Sequence, residues 1–191
     1  MEPSEDSDGK VVWNVRMSLD GFIAGPKDSM DWIFRFGRPD TFAETIRRTG
    51  ALLVGRNSYD VGTRENAIPE TEEPFGGAWS GPQFVLTHQA PAPQEGSPVT
   101  FLSGDIRKAV ATALGAAGGK DVQIIGADIA RQCIEAGTLD EINVEVAPIL
   151  LGDGVRFFGR PGVASVDLEP TAVAQVGALT SLSFHVVRRQ R

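Results

Sequence analysis

The sequence holds one cysteine, Cys133, and two histidines, His88 and His185. A lone thiol makes no intrachain disulfide, so the fold does not depend on an oxidising compartment. One cysteine and two distant histidines also lack zinc-type spacing, and no metal is expected. Neither a GxSxG turn nor a phosphate-loop lysine motif occurs, which sets aside those hydrolase and NTPase readings. Positive charge is in deficit: 18 Lys and Arg face 25 Asp and Glu, for a formal net charge of −7. Phosphate backbones are bound by clustered basic side chains that release counterions, so no nucleic-acid partner is expected. No run approaches the length of about 18 apolar residues that spans a membrane, and the first ten residues, MEPSEDSDGK, carry neither a basic nor an apolar targeting region. A cytoplasmic location without membrane partners is the default.

What is present is ordinary for a folded domain: 41% hydrophobic and 23% charged residues. The acidic start, with Glu2, Glu5, Asp6 and Asp8, reads as a disordered tail over 1–9. Residues 10–189 then read as a single domain. Val11, Trp13, Val15 and Met17 alternate along a first, mostly buried strand. GFIAGPKDS is a loop, after which Ser29 is the expected N-cap of a helix with Asp31 in its first turn. Phe42, Thr45, Ile46 and Thr49 have helical spacing, with Gly50 as the expected stop.

The run ALLVG is a buried strand, and RNSYDV opens a helix or turn. Between Gly62 and Pro82 a Pro-, Glu- and Gly-rich stretch reads as a long surface excursion, with Phe75 and Trp79 anchoring it or covering something. QFVLTH and VTFLS are further strands. A helix follows from about Asp105 to Gly115 with Ile106, Ala109, Val110 and Ala113 on one face. Strand DVQIIG leads to helix ADIARQCIEAG, where Ile129 and Cys133 share a face, so Cys133 reads as a small buried hydrophobe. The C-terminal third alternates with period two in three segments, and His185 falls on the polar, solvent-facing phase of the last. The sum is an α/β fold: a mixed sheet of about eight strands, mostly parallel with an antiparallel C-terminal part, and helices on both faces.

Four segments in register, MSLDGFIA (17–24), LLVGRNSYD (52–60) with FVLTH (84–88), IIGADIARQCI (124–134) and LDEINVEVAPILLGDGVRFF (139–158), resemble the reductase domain of bacterial riboflavin-biosynthesis deaminase-reductases and its stand-alone dihydrofolate-reductase-like relatives. The likeness covers about Val11 to Val187. It implies that fold, an NADPH-dependent reductase of a small pterin- or pyrimidine-like heterocycle, and a homodimer formed through the sheets. It places Gly55, Arg56, Asn57 and Ser58 at the turn that holds the adenosine phosphates, with Arg56 as a fork for the 2′-phosphate. A plain turn with a surface arginine is the other reading. Leu86, Thr87 and His88 end the next strand of the cofactor site, Thr87 near the 2′-phosphate.

In the family, a Gly-Gly pair joined by a cis peptide precedes the helix that faces the pyrophosphate. Here Ile125-Gly126 stands at that pair, followed by Ala127, Asp128 and Ile129. Ala24 corresponds to the residue against the nicotinamide, and Asp20 to a strand-end carboxylate facing the pocket; Asp20 reads equally as a turn former before Gly21. Phe22 stands where the riboflavin enzymes commonly carry a Lys, which points away from a sugar-phosphate substrate. Asp31 is a second candidate catalytic carboxylate, able to pass a proton to a ring nitrogen, and equally a helix cap. Ile125 and Phe22 together motivate the alternative of a non-catalytic ligand-binding module on the same fold.

Overall fold

The structure, a computed structural model, describes residues 9–37, 42–64, 67, 73–92, 96–159 and 164–188. The described residues form strands β1 (Val11–Ser18), β2 (Phe22–Ala24), β3 (Thr49–Gly55), β4 (Gln83–Leu86), β5 (Val99–Leu102), β6 (Asp121–Ile125), β7 (Glu141–Ala147), β8 (Val155–Arg156), β9 (Leu168–Val176) and β10 (Leu179–Val186). Four α-helices accompany them: α1 (Phe42–Arg48), α2 (Arg56–Thr63), α3 (Ile106–Ala116) and α4 (Ala127–Ala136). Eight strands make one sheet in the order β5-β4-β3-β6-β1-β7-β10-β9, and β2 pairs with β8 in a small ribbon. All neighbours from β5 to β7 run parallel, while β10 is antiparallel to both β7 and β9. The mixed sheet read from the sequence is therefore the observed one, and the register is set by alternation: Trp13 lies beside Ile142 and Val15 beside Val144.

One face of the sheet is apolar. Val11, Trp13, Leu53, Val122, Ile124, Ile142 and Val144 are buried there against Ile106, Ala109, Val110 and Ala113 of α3 and Ile129, Ala130 and Cys133 of α4. Trp13 stacks on Phe157 with ring centroids 4.6 Å apart and an interplanar angle of 6°. Cys133 is fully buried, and burial pushes its thiol up to about 11, so it is packing material rather than a nucleophile. The opposite face carries α2, whose Tyr59 packs on Leu52, Val54 and Val85. The excursion after α2 is anchored as expected where it is described: Phe75 meets Phe42 and Trp79 edge-on, and Trp79 Nε1 donates to the Thr49 carbonyl at 3.1 Å.

Two local expectations need correction. Ser29 caps no α-helix: a 3-10 turn over Pro26–Asp28 ends at Ser29, and a second over Asp31–Phe36 follows Met30 with no side-chain cap. The guanidinium of Arg16 takes the carbonyls of Ile33 and Gly37, which an α-helix would have used for its own ladder. Gly50 is not a helix stop but the second residue of β3. The Thr49 hydroxyl closes α1 by donating to the Thr45 carbonyl at 2.7 Å, and a Cβ on Gly50 would come within 2.1 Å of the Ala117 carbonyl oxygen, so glycine admits the turn after α3. In α4 the N-cap is Gly126, and Asp128, in the first turn, pairs with Arg131 and Gln132. The tail expected over 1–9 lies outside the described residues except for Gly9, which packs on the Lys120 carbonyl. No described helix is long and apolar enough to cross a membrane.

Candidate active site

β3 and β6 lie side by side and parallel, Val54 beside Ile125. After β3 the chain turns to the face carrying α2; after β6 it turns to the face carrying α4. Loops that leave adjacent parallel strands in opposite directions open a crevice at their carboxyl ends, the place where open α/β sheets bind ligands. Gly55, Ser58 and Gly126 meet in it: a Cβ on Gly126 would sit 2.6 Å from Ser58 Oγ. Gly126 has φ 108°, reached readily by glycine alone, and the Ile125–Gly126 peptide is trans. Ile129 packs beneath, its Cγ1 3.0 Å from where a Gly55 Cβ would lie.

The N-caps of α2 and α4 are Gly55 and Gly126, and neither helix receives a side-chain cap. Two helix N-termini without a side-chain cap thus meet at one crevice, a favourable arrangement for anionic oxygens. Arg56 stands at the start of α2, half-exposed, with Nε 2.8 Å from Asp60 and its guanidinium over the Phe101 ring. Asn57 is exposed beside it. Leu86 pairs with Gly55 in the sheet but turns into the apolar core, and Thr87 follows, half-buried, its N–H donating to the Leu102 carbonyl at 2.9 Å. His88 is exposed. Ile125, at the end of β6, keeps 37% of its surface exposed, which is unusual for an aliphatic side chain in a central strand.

A recess of about 230 Å³ lies against the first turn of α4, lined by Ala127, Asp128, Arg131, Arg156 and Phe157 among others. Arg131 bridges Asp128 and Glu135, which hold it more firmly protonated than a free arginine, and its Nε is buried without a partner among the described residues. Arg156 lies over the buried Phe22 ring, 4.8 Å from its centroid. So the position that lacks a Lys is next to a cation supplied by another strand. Ala24 is buried on β2 and pairs with Val155. Arg131 and Arg156 were not singled out from the sequence. The i, i+3 and i, i+4 spacing of Asp128, Arg131 and Glu135 was a usable signal for the first; nothing local marks the second.

Asp20 closes the rim of β1. Its carboxylate accepts from Ser18 Oγ at 2.6 Å, from Gly152 N–H at 2.7 Å and from Leu151 N–H at 3.1 Å, and these hydrogen bonds, Ser18's first, hold its carboxyl down to about 2. Ser18 in turn accepts from the Phe22 N–H at 2.9 Å. The geometry is that of a clasp between the β1 turn and the loop after β7. Asp31 is exposed on its 3-10 turn. Neither carboxylate lines this recess or a larger cavity of about 430 Å³ elsewhere on the sheet, which contains none of the catalytic or cofactor residues expected from the sequence.

The model of the RibD C-terminal domain matches residues 9–181. The chain belongs to that family. Among similar proteins, the uncharacterized protein YyaP of Bacillus subtilis (strain 168) is 26% identical over 158 residues, 78% of this chain and 80% of that one. A crystal structure from Shewanella sp. PV-4, provisionally named a riboflavin biosynthesis protein, superposes with a TM-score of 0.76 at 25% identity, covering 94% of this chain and 99% of the other. The Saccharomyces riboflavin biosynthesis reductase Rib7 shares the fold at 15% identity, with a TM-score of 0.58 over 98% of this chain and 93% of that one. Membership in this RibD-type family fits the sheet order and the crevice described above.

Proposed function

We propose that the chain is an NADPH-dependent reductase of a small heterocycle, acting as a homodimer in the cytoplasm. The observation that carries this reading is the convergence of two uncapped helix N-termini on the crevice between β3 and β6, in a RibD-type reductase fold. Gly55, Ser58 and Gly126 would hold the diphosphate, and Arg56 the 2′-phosphate once it releases Asp60. NADPH supplies the hydride when bound, and the protein supplies binding and orientation.

Asp20 is ionised throughout the neutral range, so its part is to fix the loop at 150–152 over the rim rather than to deliver a proton. Ala24 and the β2–β8 ribbon, tied to that rim, close the side of the crevice toward the α4 recess. The dimer reading is supported by β9, a nine-residue edge strand exposed along its length with Val173 70% and Leu168 37% accessible. Such edges call for pairing or cover.

Titration of the purified protein with NADPH, followed by quenching of its Trp fluorescence, tests the proposal. Saturable binding in the micromolar range, weakened about tenfold in Arg56→Ala as one charge-assisted hydrogen bond is lost, is the expected result. No saturation at millimolar NADPH would sink the reductase reading and leave a ligand-binding module on the same fold.

A further inference from the structure

The cavity of about 430 Å³ lies on the α2 side of the sheet, over β6, β1, β7 and β10. Its floor is a row of amides. Asn143 Nδ2 donates to Asn14 Oδ1 at 2.8 Å, and Asn14 Nδ2 donates to Gln123 Oε1 at 2.6 Å. Ser183 extends the row, paired with Asn143 across β10 and β7. Gln123 is 4% exposed and lines the cavity, yet its Nε2 has no acceptor among the described residues. Asn143 Oδ1 likewise has no donor among them. The row therefore ends in an unspent donor and an unspent acceptor, and neither atom is among the fully buried partnerless ones, so both are open to the cavity and to what enters it.

The walls restrict what that occupant can be. Ile33, Phe34, Phe42 and Phe75 line the cavity with apolar and aromatic surface. Four carboxylates line it against two guanidiniums, and unlike Arg56, whose pair with Asp60 is half-exposed, these are tied to less accessible partners: Arg16 to Glu145 and to the carbonyls of Ile33 and Gly37, Arg48 to Asp121. Glu141 and Glu44 are in turn held by Lys10 and Arg47. Among the described lining residues no cation is left unpaired, so a phosphate or carboxylate would have to compete with the carboxylates already there. A pocket of this size with apolar walls and a few convergent polar groups is the usual form of a small-molecule site. Gln123 is one pleat before Ile125 on the same face of β6, roughly 7 Å along the strand, so the cavity and the crevice share one strand.

We propose that this cavity takes the substrate, that the substrate is a neutral planar ring with an amide-type donor and acceptor edge set on Gln123, Asn143 and Ser183, and that phosphate esters are excluded. The proposal rests on the reductase reading for the word substrate alone; the binding itself requires no cofactor.

Calorimetric titration without NADPH, using the shape-matched probes benzamide, benzoate and phenyl phosphate, tests it. Benzamide is expected to bind saturably at millimolar concentration, with benzoate and phenyl phosphate at least about tenfold weaker. Gln123→Glu keeps the acceptor for Asn14 and removes the donor; it should weaken benzamide about tenfold. Phe34→Ala, at a partly exposed wall position where folding is little affected, should weaken it by about the same factor. Equal or tighter binding of benzoate, benzamide binding indifferent to both variants, or no saturable benzamide binding because a second copy covers the face would each overturn the proposal. Loss of NADPH binding with benzamide binding intact would instead overturn the cofactor reading alone.

Discussion

Trp13 and Asn14 are chain neighbours in the same strand, and they belong to two different kinds of interior. Trp13 points into a face closed by α3 and α4, 2% exposed and stacked on Phe157. Asn14 points into a face where the helical cover is partial, and it holds Gln123 and Asn143 together over a cavity. The first face is filled by area and shape, which are non-directional. The second is held by directional bonds that leave groups unspent. A sheet of alternating side chains thus gives one strand two roles, stability on one side and recognition on the other.

The largest effect that would break or keep this contrast is on the filled face. Trp13→Ala should lower the free energy of unfolding by about 3–5 kcal/mol, the range for removing a buried aromatic, read from urea denaturation. Asn14→Ala should cost about 1–2 kcal/mol, since it strands Gln123 Oε1 and Asn143 Nδ2, while water in the cavity can serve both. Equal losses from the two neighbours would mean that the amide row is as structural as the aromatic core, and the division of labour between the faces would fail.

Much of this was legible beforehand because it depends on period and punctuation. The alternation of Val11, Trp13, Val15 and Met17 and the i, i+4 pair Ile129 and Cys133 follow from side-chain geometry in a strand or helix, but alternation carries no strand direction: the first period-two segment after Gly137, read with the antiparallel part, forms β7 parallel to β1, and the reversal comes only with β10. The crevice residues came from a likeness to a known family, and Gly55, Ser58 and Gly126 are brought together by two strands more than sixty residues apart. The amide row was not legible. Asn14, Gln123, Asn143 and Ser183 lie on polar phases, and in sequence a polar phase is the same whether it meets solvent or the floor of a cavity. Nor was the Arg16 tether, because the carbonyls of Ile33 and Gly37 carry no sequence signature.

The smallest effect concerns the rim where the two faces end, and it is visible only as pH dependence. The Asp20 carboxyl has a lower pKa folded, about 2, than its ordinary 3.8, so ionisation favours the folded state. That contribution is complete above 3.8 and disappears as pH falls from there through about 2. Asp20→Asn removes it. The gap in melting temperature between the wild type and Asp20→Asn should be constant from neutral pH down to about 5 and then close toward pH 2. Ser18→Ala, which deletes the strongest of the hydrogen bonds to Asp20, should move the carboxyl back toward 3.8 when followed by carboxyl-carbon NMR titration. A gap that persists unchanged to pH 2, together with an unmoved titration in Ser18→Ala, would show that the clasp is a neutral turn and that the rim is held by the β2–β8 ribbon instead.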